Sequence, residues 1–144
     1  AHFDVLHLDQ SGKVLKRYVP KGVKLNGADY PVAEVLPTIY GKRKINRGFE
    51  GLALSSDEKT LYAVLQSPLL NPDKKTGDAS RNTRLIVFDI QSEKVTAEYA
   101  YQFEVAKQFD PNPKTTPDEM KLSGVLFLTR SAPGASKRTT SRLA

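Results

Sequence analysis

The sequence predicts an all-β fold, and three observations carry that expectation. Short apolar runs alternate with polar turn clusters, DQSGK, SSDEK and IQSEK among them. No uninterrupted amphipathic pattern of ten residues or more is present to build a core helix. The central runs FEGLAL and TLYAVLQ are apolar on both faces, so both sides need cover, and without a long helix that cover must be sheet.

In chain order, Phe3 to Leu8 and Val14 to Val19 flank DQSGK and read as a first hairpin. Residues 20 to 47 are broken by Pro20, Gly22, Gly27, Pro31, Pro37 and Gly41 and read as loop, with Val32 to Leu36 long enough for one helical turn. FEGLAL, SSDEK and TLYAVLQ make the second hairpin. Simple alternation puts Glu50, Leu52 and Leu54 on one face of its first strand, and Phe49, Gly51 and Ala53 on the other. NPDKKTGDASRNT is a polar loop. Arg84 to Asp89 and Val95 to Tyr101 form a third pair, Phe103 to Phe109 a short helix, DPNPKTTPDE a loop, and Met120 to Leu128 a last apolar strand.

FEGLALS and KLSGVLFL share a pattern: a small or polar residue, a glycine, then an apolar run. Gly51 and Gly124 lie 73 residues apart, a spacing compatible with successive blades of a β-propeller with long loops. A propeller usually closes with four or more blades of about 40 residues or longer, so the chain reads as about two blades, a piece of a larger wheel. Residues 1–129 are expected to form this partial propeller and residues 130–144 a basic tail. The piece is expected to associate with itself or with the remaining section of the wheel, because open blades expose edges and apolar faces. A small, self-contained β-sandwich is the alternative.

Composition narrows the functional classes. The chain is 39% hydrophobic and 26% charged, as expected for a globular domain. Of the net charge of +6, Arg130, Lys137, Arg138 and Arg142 supply four in a stretch without acids, so the basic signal belongs to the tail. That tail lacks interleaved aromatics, and neither a nucleic-acid nor a membrane partner is expected. Zero cysteines exclude disulfides, thiolate metal sites and thiol nucleophiles. No apolar run approaches the roughly 18 residues of a membrane span, and Ala1 running directly into FDVLHLD reads as a processed start. His2 and His7 have no third ligand nearby, and DPNPKTTPDEMK fails as a calcium loop, with Thr115 where glycine is required and Lys121 at the twelfth place.

NRGFEGLALSSDEKTLYAVLQSPL, then SRNTRLIVFD and EYAYQFE, resemble the bacterial family called phytase-like, or esterase-like activity of phytase. The resemblance runs from roughly Leu36 to Phe103 and echoes faintly at MKLSG. It implies a secreted or periplasmic β-propeller that hydrolyses phosphate or other esters. The matching positions are Asn46, Arg47, Gly48, Phe49, Glu50 and Gly51, then Gln66, Ser67 and Pro68, then Arg81 and Arg84. Ser56 and Glu58 stand where the family's hairpin usually has proline and glycine, a departure that bears on turn geometry.

Glu50 poses the sharpest question, because a carboxylate entering an apolar sheet costs several kcal/mol unless it is paired. Either it faces the hub of the wheel, binding Ca²⁺ or a substrate-holding arginine, or it pairs internally with Arg47, Arg81 or Arg84. Arg47, Arg81 and Arg84 suit a phosphoester, because guanidinium binds phosphate in bidentate fashion and stabilises transition-state charge; the alternative is that they face solvent. Gln66, Ser67 and Asn46 would contact substrate. For Gln66 and Ser67, strand-end hydrogen bonding competes with that role, and Ser67 has no histidine close in sequence to act as its base. The expected activity is hydrolysis of a small phosphorylated or esterified molecule, with Glu50 and Arg47 as the catalytic pair. A non-catalytic module binding an anionic ligand or a protein is the alternative.

Overall fold

A computed structural model describes residues 4–112 and 114–128; the tail predicted for residues 130–144 lies outside them. Among the described residues seven strands form two sheets. Strands β1 (Val5–Leu8) and β2 (Val14–Pro20) pair antiparallel, and β3 (Val32–Leu36) joins β2 in parallel. Strands β4 (Phe49–Leu54), β5 (Thr60–Leu65), β6 (Asn82–Asp89) and β7 (Lys94–Gln102) form an antiparallel meander in that order. Helical structure is brief: a 3-10 turn at Thr38–Lys42, α1 (Lys74–Ala79), α2 (Ala106–Phe109) and a 3-10 turn at Pro117–Glu119.

The hairpins form where turn chemistry allows. In the first, Asp9 Oδ1 accepts from the Ser11 and Lys13 amides at 2.8 and 3.0 Å, and Gly12 takes a left-handed φ of 85° that a side chain would resist. In the second, Ser55 Oγ accepts from Thr60 N at 3.0 Å while Glu58 is held at φ 57°, the geometry that favours glycine. Helix α1 arises inside the predicted loop because Asp73 caps it, its Oδ1 accepting from Thr76 N at 2.8 Å.

Two further expectations change. Val32 to Leu36 is a strand, because its backbone groups find partners along β2. Residues 120–128 take up no regular strand; Leu122 N donates to Gln66 O at 2.9 Å, and the segment crosses the β4–β5 face. Phe127 stacks on Tyr62 with centroids 5.4 Å apart. A Cβ built on Gly51 would lie 2.7 Å from the backbone of Gly124 and Val125, so the close approach requires glycine there.

The core lies between the sheets, as the absence of long helices requires. Val5, Tyr18 and Leu36 of the first sheet, with Tyr40 of the 3-10 turn, pack on Ala63, Leu65, Ile86 and Phe88 of the second. Leu36, Leu65 and Ile86 are at most 1% exposed, and each such burial contributes about 1.5–3 kcal/mol. Polar links join the layers as well: Tyr18 Oη donates to Glu93 at 3.1 Å, and Lys16 pairs with the same carboxylate at 2.6 Å.

Candidate functional site

The site grows from the turn that launches β4. Arg47 N donates to Lys44 O at 3.2 Å, and Asn46, at φ 57°, occupies the left-handed position that asparagine tolerates better than most residues. The ladder then slips. Phe49 pairs with Leu65 but Gly51 with Val64, which leaves Glu50 as the extra residue of a β-bulge. The bulge changes the parity predicted by simple alternation. Phe49 turns to the core side, where it meets Tyr40 at 5.6 Å, and Glu50 is exposed rather than buried. The desolvation cost that demanded a partner therefore does not arise. Among the described residues Glu50 makes no ion pair with Arg47, Arg81 or Arg84.

Asn46, Arg47, Gly48, Phe49 and Glu50 line one cleft of about 240 Å³ together with Arg43 and Asp4. Arg43 and Asp4 are additions to the expected set; the basic run GKRK just before Asn46 is the signal by which Arg43 could be found. Arg43 Nη1 donates to Lys44 O at 2.9 Å, and Asp4 pairs with Arg17 at 3.1 Å. Arg47 has a double allegiance. It lines the cleft, yet its Nη1 donates to Ser67 Oγ at 3.2 Å and to the main-chain oxygen of Asp118.

Ser67 and Gln66 lie beneath this cleft as framework. Ser67 is 1% exposed, and its hydroxyl also contacts Met120 O at 3.5 Å. Gln66 works through its main chain, its N–H donating to Gly48 O at 2.9 Å and its carbonyl receiving Leu122 N. Lys44, 7% exposed, lies between Asp78 Oδ1 at 3.1 Å and Asp118 Oδ1, so Lys44, Arg47, Asp78 and Asp118 form a clasp over the 117–122 segment. The hydrogen bonds from Lys74 and then Lys44 hold the Asp78 carboxyl below its usual range.

Arg84 and Arg81 stand apart from the cleft. Arg84 pairs with Glu98 at 2.8 Å and lines a separate cleft over β6 and β7. Arg81 is half-buried, and its carbonyl accepts from Phe103 N at 2.8 Å. As to metal, calcium takes six to eight oxygen ligands, whereas among the described residues no three acidic or histidine side chains converge. Asp4 and Glu50 are the two carboxylates that line the cleft, so a calcium ion there would draw its other oxygens from carbonyls, Asn46 or water.

Comparison with known proteins places these observations. An uncharacterized secreted protein of Arthroderma benhamiae is 36% identical over 63 residues, 44% of this chain but only 12% of that protein's length. No solved structure matches. The family model described as "Phytase-like: Esterase-like activity of phytase" matches residues 4–138, well beyond the stretch from Leu36 to Phe103. With nearly the whole length matched, the chain belongs to the phytase-like family.

Proposed function

We propose that the chain is a section of a secreted β-propeller hydrolase acting on a phosphoester or other ester, with the cleft at the start of β4 as its anion-binding site. One observation carries this reading: Arg43, Arg47, Asn46 and Glu50 share a single cleft at an exposed strand entrance. Guanidinium groups there would hold the substrate's anionic oxygens, and the exposed Glu50 carboxylate would accept a proton from attacking water. Substrate binding then falls to Asn46, Arg43 and Arg47, with Gln66 and Ser67 as supports and Arg81 and Arg84 outside the immediate site. Calcium at Glu50 would be held by the Glu50 and Asp4 carboxylates with further carbonyl or water oxygens. Secretion is supported by the secreted relative.

The radial arrangement is supported by the four-stranded antiparallel meander β4–β7, which has the strand number and order of a propeller blade. On this reading the remaining blades, or a second copy of the chain, would cover the exposed Leu52 and Leu54 of β4.

The test is turnover of p-nitrophenyl phosphate and p-nitrophenyl acetate, with and without Ca²⁺, by the chain and by Glu50→Gln and Arg43→Ala variants. Losing a charge-stabilising donor is expected to cost about 10²–10³ in kcat. Normal turnover in Glu50→Gln removes Glu50 from the mechanism. The non-catalytic reading gains weight from Ser67, which is buried and hydrogen-bonded without a histidine partner among the described residues. It predicts thermal stabilisation by phosphate compounds with no turnover.

A further inference from the structure

The cleft over β6 and β7, about 320 Å³ in volume, is distinct from the Arg47 cleft and carries a different chemistry. Among the described residues Arg84 and Glu98 are its charged lining residues, and they pair at 2.8 Å, so their charges balance. The pair is held from below. Tyr40, 0% exposed, sends its hydroxyl out of the core to donate to the same oxygen, Glu98 Oε2, at 2.9 Å. With Oε2 receiving both donors, Glu98 Oε1 is left as an acceptor without a hydrogen-bond partner among the described residues.

Two amides complete the wall. Asn71 Oδ1 accepts from Lys42 Nζ at 3.1 Å, and Asn82 Oδ1 accepts from Gln102 Nε2 at 3.1 Å. Each carbonyl being engaged once, both residues still carry an NH₂ group able to donate to a ligand. One fixed charged acceptor thus stands beside donors from Arg84, Asn71 and Asn82.

We infer that this cleft is a binding site for a neutral polyhydroxylated molecule, a sugar ring or polyol, recognised through adjacent hydroxyls. One hydroxyl donates to Glu98 Oε1 while a neighbouring oxygen accepts from Arg84 or an asparagine amide. A phosphate or carboxylate would meet the Glu98 charge, and a cation would meet Arg84, so only an uncharged ligand with both donors and acceptors satisfies the whole wall. The volume falls at the small end of ligand pockets, and the buried Tyr40 anchor supplies the rigidity such a site needs. The inference does not depend on hydrolysis at the Arg47 cleft.

The test is titration of the isotopically labelled chain with methyl β-glucopyranoside, with sorbitol and with inorganic phosphate, followed by amide and side-chain NMR shifts. Saturable shifts at Asn71, Asn82, Arg84 and Glu98 with either neutral probe, and none with phosphate, are expected. Asn82→Ala, at an exposed position remote from the core, is expected to weaken binding about tenfold, the factor for one lost hydrogen bond of about 1.4 kcal/mol. Glu98→Gln keeps an oxygen for Tyr40 and is expected to do the same. Absence of saturation with both neutral probes, phosphate saturating these residues, or unchanged affinity in Asn82→Ala would each overturn the proposal.

Discussion

Replacing Gly51 by alanine tests whether the 122–128 segment lies across β4 and β5. The new methyl would sit 2.7 Å from the Gly124 carbonyl carbon, from Val125 N and from Val64 Cγ1. Val64 can rotate, but backbone cannot step aside so easily, so the segment must shift or the core must strain. Strain of this kind costs about 1–3 kcal/mol. Releasing the segment instead forfeits the Tyr62–Phe127 stack, about 0.5–1.5 kcal/mol, and the Leu122–Gln66 hydrogen bond, about 1 kcal/mol. Both routes lead to a loss of about 2 kcal/mol, of which alanine's better strand entropy returns roughly 0.5–1 kcal/mol. A net destabilisation of about 1–2 kcal/mol is therefore expected in urea unfolding followed by circular dichroism, with faster hydrogen exchange at the Leu122 amide. Gly124→Ala is the control, because its methyl would meet nothing within 4 Å, and it should stay within about 0.5 kcal/mol of the parent. A Gly51→Ala chain as stable as the parent, with Leu122 still protected, would refute the packing.

Three further outcomes are expected. Glu58→Gly should stabilise the chain by about 1 kcal/mol, read as a raised urea midpoint, since Glu58 is held at φ 57° where a side chain is strained. Lys44→Met should cost about 1–3 kcal/mol, because it strips a buried cation from Asp78 and Asp118; the lower part of that range follows from how exposed the two carboxylates are. Burial, then the hydrogen bond to Glu93, pushes the Tyr18 hydroxyl up to about 12, and burial with Glu98 pushes Tyr40 up as well. The native state thus keeps protons that unfolded tyrosines release near pH 10, so stability is full below about pH 10 and falls as pH climbs through 12. In Tyr18→Phe, unfolding midpoints measured over that window should fall less steeply.

Much of the fold was legible because turn chemistry and two-residue periodicity are local. The hairpins around DQSGK, SSDEK and IQSEK needed only their own residues, and the shortage of long helices forced sheet on sheet. What escaped depended on distant partners. Val32 to Leu36 becomes a strand only because β2 offers it a parallel edge, and Met120 to Leu128 stays irregular because a single ladder bond, to Gln66, reaches it. At the candidate site, Asn46, Arg47 and Glu50 do share a cleft, but Arg84 and Arg81 could not be separated from them by spacing alone. The environment of Glu50 was misread because a bulge is invisible to alternation: nothing in NRGFEGLAL announces that one residue drops out of register.

That dropped residue has a consequence for how the molecule can change. By absorbing one position of phase, the irregularity lets the exposed positions Asn46 and Glu50 vary apart from the packed stretch that begins at Gly51. Change at those two positions can then reshape the lip of the cleft without forcing the interior to rearrange, as a gasket lets a fitting be exchanged without rebuilding the pipe.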